Sequence, residues 1–270
     1  MSCVDEEGLP PFEVLDLQLI EQLNSSYTLL PEEQMTVSTD NRTIALYASP
    51  TTEYGHGILG DKVEAKELVL THEGIIYDIT LEDGFVFEDI RPRLFDVDED
   101  NIPEVITIRT DVSAGAGIAI YKIVDNELSL YAKVPVIGRA YRWLNIVTID
   151  DLDRDGNLDI AWVQTPHIGG IFKIATLKGG ILTPTASLGE FSNHAIGERN
   201  LCMSAISTDN DQTVTYIPNQ QGDSIVGLTY SQGTIHRLKS IPLDVDFAVI
   251  LQDQHDFTAQ KVDLVNCIGG

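Results

Sequence analysis

A nine-residue stretch, DLDRDGNLD from Asp151 to Asp159, places carboxylates at alternate positions and runs straight into an apolar, β-branched segment. This pattern constrains the fold more than any bulk property does, because it recurs along the chain. Fifty-five residues earlier it stands as Asp96, Asp98, Asp100, Asn101 and Glu104 in FDVDEDNIPEV. Fifty-six residues later Ser207, Asp209 and Asp211 keep the alternation, with Thr215 in the last acidic position. Fifty-eight residues before Asp96, the stretch VSTDNRTIALYA offers Ser38, Asp40 and Arg42. The faintest echo, HDFTAQKVDLVN, starts at His255 and keeps Asp263. The units thus start near residues 38, 96, 151, 207 and 255.

Each unit reads as four short strands. In the third, WLNIVTI (143–149) precedes the acidic loop, and LDIAWVQ (158–164), IFKIATL (171–177) and ILTPTASL (181–188) follow it. These runs are β-branched and bounded by Gly, Asn, Asp and Pro. Four strands per unit of about 50 residues predict an all-β chain, a β-propeller of four-stranded antiparallel blades in a single domain over 1–270. Five units imply five blades. The fifth has strands near 246–251 and 261–268, and residues 12–34 have room for the two strands that complete it and leave no open edge. Residues 14–26, VLDLQLIEQLNSS, also read as an amphipathic helix. An incomplete larger propeller or a twisted half-ring is the alternative.

Alternating acids on a tight turn gather several carboxylates around one point, and a hard cation such as Ca²⁺ takes six to eight oxygens at ~2.3–2.6 Å. Asp151, Asp153, Asp155 and Asp159 offer side-chain oxygens, Asn157 a carbonyl, and Gly156 permits the sharp turn. An EF-hand needs a bidentate Glu at position twelve of its loop, where this chain has Trp162 inside a strand-like run. The competing reading is a polar hairpin whose Asp residues only cap the turn. The loops at Ser38, Ser207 and His255 carry too few carboxylates to hold an ion, and hydrogen bonds can close the same turn there.

The stretch DLDRDGNLDIAWV resembles the FG-GAP or VCBS repeat, the unit of the integrin α-subunit propeller and of many bacterial proteins. The likeness covers the second and third units well and the others faintly. Longer stretches, among them TTEYGHGILGD, VFEDIRPRLFDVDED and YRWLNIVTIDDLDRDG, resemble bacterial VCBS-repeat proteins of similar size. The resemblance implies structural Ca²⁺ at the turn between a blade's first two strands. Carried over residue by residue, the ligands are Asp151, Asp153, Asp155, Asn157 and Asp159, and in the second unit Asp96, Asp98, Asp100, Ile102 and Glu104. The FG-GAP name motif itself is not evident, which weakens an integrin-like ligand.

An up-and-down blade puts its acidic turns at one end and its second-to-third turns and blade connections at the other. That second set brings together His56, His167 and His194 with Glu88, Asp89, Arg91, Arg139, Tyr141 and Arg142. Histidine near neutral pH ligates metals or moves protons, and arginine forks onto anions. The bland reading pairs Arg with Glu between blades and leaves each His as a turn residue.

Asp and Glu number 42 against 17 Lys and Arg, a formal charge of -25. Such a chain repels nucleic acid and anionic lipid. No apolar run reaches membrane-spanning length, so no membrane insertion is expected. The N-terminus lacks a secretory pattern, although a mature domain behind a new Met reads the same way. Cys3, Cys202 and Cys267 fit one bridge plus a thiol, or three idle thiols. No Ser-His-Asp order, zinc-protease motif or phosphate loop is present. The expectation is a calcium-binding propeller that binds a protein or carbohydrate or acts as a scaffold. Its compartment is extracytoplasmic if a leader has been removed, with a cytoplasmic one still open. The alternative is an enzyme using the His/Arg face on an anionic or sugar-like substrate.

Overall fold

The computed structural model describes residues 17–30, 34–209, 212–243 and 262–263. It is all-β apart from one helix, α1 (Leu17–Ser26), and every strand pairing among the described residues is antiparallel. The first unit consists of β1 (Thr36–Val37), β2 (Thr43–Thr51), β3 (Glu64–His72) and β4 (Ile75–Thr80). A short strand, β5 (Phe85–Phe87), pairs with the first unit at Ala65 and with the second at Arg109 to Asp111. The second unit follows with β6 (Arg93–Phe95), β7 (Glu104–Asp111), β8 (Gly115–Val124) and β9 (Glu127–Lys133). The third holds β10 (Leu144–Asp150), β11 (Leu158–Gln164), β12 (Ile171–Lys178) and β13 (Ile181–Gly189). The fourth holds β14 (Ala205–Asp209), β15 (Gln212–Pro218), β16 (Ser224–Ser231) and β17 (Thr234–Pro242).

Each third-to-fourth strand connection is a two-residue turn with both central φ angles positive. The pairs are Glu73-Gly74, Asp125-Asn126, Gly179-Gly180 and Gln232-Gly233. Positive φ at both positions is the type I′ geometry, whose twist matches that of the flanking strands. Four identical turns confirm the four-strand unit as the repeating element, although the sequence of the turn changes each time.

The sheets bury both faces against their neighbours. Tyr47, Leu68 and Leu70 of the first unit pack with Val105 and Tyr121 of the second. Ile106, Ile108 and Ile118 meet Ile160, Trp162 and Leu177 of the third. Val163, Phe172 and Ile174 meet Ile217, Val226 and Leu228 of the fourth. The last strands β4, β9, β13 and β17 follow one another side by side, and the first strands β1 and β6 also meet. At the junction of the third and fourth units, the Gly170 carbonyl accepts from the Glu190 and Phe191 N–H groups. A Cβ on Gly170 would strike the Phe191 carbonyl, so only glycine fits there.

Among the described residues of 12–34, a helix stands where strands were expected to complete the last blade. Leu17–Ser26 is helical, and its apolar side (Leu19, Ile20, Leu23) packs with Ile44, Leu46, Ala48 and Val69. The free face of the first sheet is thereby covered by a helix, because apolar residues spaced for a helical stripe bury more area in that form. The remainder of 12–34, residues 12–16 and 31–33, lies outside the described residues. So does most of the fifth unit, 244–261 and 264–270. Its described part, β18 (Val262–Asp263), pairs with Ile206 and Ser207 and extends the fourth sheet, where a second strand of a fifth unit was expected. No helix among the described residues is long and apolar enough to cross a membrane.

Leu23, on the buried side of the helix, is 1% exposed. Leu23→Ala is expected to cost about 2–5 kcal/mol in urea unfolding. A loss below about 1 kcal/mol would mean that the helix does not seal the first sheet.

Candidate functional site

The acidic turns of the second and third units close in the same way. In the third, Asp151 accepts from the N–H groups of Asp155 (3.1 Å) and Gly156 (2.8 Å). Asp155 accepts from the N–H of Asn157 at 2.8 Å, and Asp159 from that of Leu152 at 3.2 Å. In the second, Asp96 accepts from Asp100 (3.1 Å) and Asn101 (2.9 Å), Asp100 from Ile102 (2.8 Å), and Glu104 from Val97 (2.8 Å). Both turns place positive φ at matching positions, Glu99 and Asn101 in one and Arg154 and Gly156 in the other. Asn101 thus does the work of glycine, as Asn can in the left-handed region.

Oxygens of Asp151, Asp153 and Asp159 lie within 4.8 Å of one another, as do those of Asp96, Asp98 and Glu104. Asp155 and Asp100 fall outside these trios, each turning one oxygen onto the turn's own backbone. Asn157 and Ile102 enter the turns through their N–H groups. The first unit's turn is closed by Ser38, whose hydroxyl donates to Asp40 and accepts from the Thr43 N–H.

The two trios differ in one neighbour. The Lys122 ammonium on β8 reaches Asp98 (2.7 Å), Asp100 (2.7 Å) and Glu104 (2.9 Å). Burial disfavours its charge, yet its hydrogen bonds to Asp100, Asp98 and Glu104 outweigh that and raise its pKa overall. The Lys122 contact in turn holds the Asp100 carboxyl below its ordinary value. In the third unit Thr176 pairs in register with Asp159 and gives it only a hydroxyl, at 2.5 Å. Burial, then Asp153 and Asp155, push the Asp159 carboxyl up to about 6, although Thr176 and the Leu152 N–H pull it down. Asp153 is also raised, by burial and then by Asp155 and Asp151.

The opposite strand ends assemble a second polar cluster. Glu88 is fully buried. One of its carboxylate oxygens meets His56 Nδ1 at 2.6 Å and the other accepts from the Thr110 hydroxyl at 2.8 Å. Its backbone carbonyl accepts from the Trp143 indole N–H. Burial raises the Glu88 carboxyl despite these partners. His194 Nε2 lies 2.8 Å from the Glu198 carbonyl, and its Nδ1 lies 3.0 Å from His167 Nε2. A carbonyl only accepts, so in neutral rings His194 donates from Nε2, His167 donates from Nε2 to His194 Nδ1, and His167 Nδ1 is left bare. By the same logic, an ionised Glu88 accepts from a protonated His56 Nδ1, and Nε2 of the neutral ring carries no hydrogen.

Trp143 ties the two halves together. Its ring lies parallel to His167 at 6.4 Å and sits 4.8 Å from His194. His56 stands edge-on to the stacked pair Tyr54 and Tyr141. Burial, then the neighbouring His194, push His167 down to about 4, with a smaller push from His56, and burial also lowers His194.

His56, Glu88, His167 and His194 are therefore gathered as the connectivity implied. The arginines are not part of the contact network. Among the described residues no hydrogen bond or ion pair joins Arg91, Arg139 or Arg142 to the three histidines. Arg142 donates to the Tyr141 carbonyl, Arg139 is exposed, and Arg91 is half-buried beside Arg93. Sequence reasoning passed over Arg93, which forms a buried ion pair with Asp89 at 2.6 Å. Their i, i+4 spacing in EDIRPR was the available signal. Also missed was a cavity of about 300 Å³ beside Phe85, Arg109, Asp111 and Lys133, where the Arg109 guanidinium lies 3.9 Å from the Phe85 ring centre.

No protein-family model matches the chain, and no curated protein does. Among solved structures, a protein from Lactobacillus plantarum aligns over 78% of this chain and 57% of its own, at 11% identity and a TM-score of 0.46. A rhamnogalacturonan lyase of Bacillus licheniformis aligns over 82% and 54%, at 10% identity and 0.40. The periplasmic gluconolactonase of Pseudomonas aeruginosa aligns over 79% and 72%, at 10% identity and 0.36. The chain thus spans little more than half the length of the first two.

The histidine pair makes a pH prediction. His167 binds its proton less readily when folded (about 4) than at its ordinary 6.5. As pH falls through 6.5 the unfolded chain takes up that proton first, so stability is lost between about 6.5 and 4. His167→Gln should flatten the fall in Tm over that window relative to the parent protein. Parallel curves would remove His167 as a contributor.

Proposed function

We propose that the chain is a calcium-stabilised β-propeller of the VCBS/FG-GAP kind, acting as a binding or scaffold protein outside the cytoplasm. Four repeated four-stranded units, stacked face to face with their last strands side by side, support the propeller reading. The unit starting near 255 would supply a fifth blade. The observation that carries the calcium reading is the trio Asp151, Asp153 and Asp159. Its oxygens converge within 4.8 Å, and Asp159 is 1% exposed with its carboxyl pushed up to about 6. Buried carboxylates that resist ionisation lack sufficient positive charge nearby. An all-oxygen donor set suits a hard cation. Asp151, Asp153 and Asp159 would hold Ca²⁺, with Asp155 and the Asn157 carbonyl as further donors. An ion held there would supply the positive charge that Asp159 and Asp153 lack.

Cys202 is disulfide-bonded, which suits an oxidising compartment. Free Ca²⁺ is also high enough outside cells to fill weak extracellular sites. Thermal unfolding in EDTA against excess Ca²⁺ tests the reading. At a hundredfold excess over Kd the expected gain is about 2.7 kcal/mol, or a rise on the order of 5–10 °C. Asp159→Asn should abolish that rise. Equal melting temperatures with and without Ca²⁺ would defeat the calcium reading.

A second reading, an enzyme or sugar-binding site at the other end, is favoured by the 2.6 Å contact between His56 and buried Glu88. A carboxylate that fixes one imidazole nitrogen leaves the other aimed as a base or acceptor. Chemical shifts of the His56 and His167 ring nitrogens, followed against a panel of neutral sugars and sugar acids, test this. Perturbation that disappears in His56→Gln is the expected result. A panel that leaves both rings unmoved retires the reading.

A further inference from the structure

We infer that the second unit's acidic turn holds no metal because Lys122 is its built-in cation, and that residue 122 decides how many Ca²⁺ ions the chain takes up. The inference rests on the proposal that the third unit's turn binds Ca²⁺. The two turns share their backbone hydrogen bonds, their positive-φ positions and a carboxylate trio within 4.8 Å. By sequence pattern both qualify as ion sites, and the family resemblance carries ligands onto both.

The third strand of the sheet separates them. Thr176 is the register partner of Asp159. Its counterpart in the second unit, one step beyond the Val105–Tyr121 pair, is Lys122 opposite Glu104. The Lys122 ammonium lies 2.7–2.9 Å from oxygens of Asp98, Asp100 and Glu104. Glu104 is 1% exposed at the floor of the turn. An ammonium that donates to three carboxylates takes up the oxygens a divalent ion would need. It is tethered to the sheet, so chelators cannot remove it. A longer Glu in the final acidic position, where the third unit has Asp159, accompanies this exchange and reaches both the ammonium and the Val97 N–H. The residues of the second turn therefore do not fit the ion that the resemblance implies.

Equilibrium dialysis of the whole chain with ⁴⁵Ca²⁺ reads the stoichiometry directly. The parent protein should bind one ion at these turns, and Lys122→Thr should bind two. Lys122→Arg keeps the charge and should bind as the parent does. In the Asp159→Asn background, the parent residue at 122 should give no ion and Lys122→Thr one. Two ions on the parent protein would overturn the inference, as would no gain on Lys122→Thr. A parent protein that binds none, beside a Lys122→Thr variant that binds one, would uphold the role of Lys122 and defeat calcium at Asp151–Asp159. If Lys122→Thr unfolds without metal, its recovery of native circular dichroism in Ca²⁺ but not in EDTA supports the inference. Failure to recover in Ca²⁺, with the parent at two ions, rejects it.

Discussion

A carboxylate that accepts hydrogen bonds from two successive backbone N–H groups closes the turn in the second and third units, and the rest of each unit is arranged around that closure. Asp96 and Asp151 perform it. The bonds satisfy N–H groups that a tight turn cannot pair with a neighbouring strand. Each acid uses both of its oxygens as acceptors, and the alternation of the motif brings further acids to the same place. Local closure thus creates a charge problem that the turn itself cannot solve.

The answer comes from the third strand of the same sheet, which is why the two turns can be twins in backbone and opposites in electrostatics. In the second unit, β8 delivers an ammonium. In the third, β12 delivers a hydroxyl, and the carboxyls of Asp153 and Asp159 are left raised. Charge met by a tethered lysine needs no ion from the medium, whereas the third unit's turn has only a hydroxyl in that place. The third unit's turn also touches the next unit, because the Gln232 N–H bonds to Asp153 and lowers its carboxyl slightly. Any ion held there would steady the junction between the third and fourth units as well as its own turn.

The four described units, their order and the positions of their acidic turns were legible in the sequence, since each depends on local alternation and turn chemistry. So was the gathering of His56, Glu88, His167 and His194, which follows from connectivity alone once the strands are counted. Lys122 was not legible. Its role depends on strand register, and a shift of one residue would have put it on the opposite face of the sheet. The helix Leu17–Ser26 sits on a stretch that read both ways, and only the apolar face of the first sheet decides between them. Arg93 stands two positions from Arg91, so alternation of facing does not separate them; its four-residue spacing from Asp89 in EDIRPR was the one mark of the buried pair.

The division of labour between the two ends of the strands follows from these charges. At the acidic end the oxygens are committed to backbone N–H groups, to Lys122 or to closure around one point. At the other end the connections are longer, and they carry groups whose bonding is incomplete. In the tautomers set by Glu88 and His194, His56 Nε2 and His167 Nδ1 carry no hydrogen, and both rings sit beside aromatic surface. Tyr141 is 53% exposed on the stack it forms with Tyr54, and Ile168 and Ile196 are exposed on the loops that bear His167 and His194. Bare imidazole nitrogens beside exposed apolar side chains offer acceptors and contact area to a ligand, and the arginines nearby are not tied to them. A chain that carries a charge of -25 and ties its acids down at one end has its chemically open groups at the other.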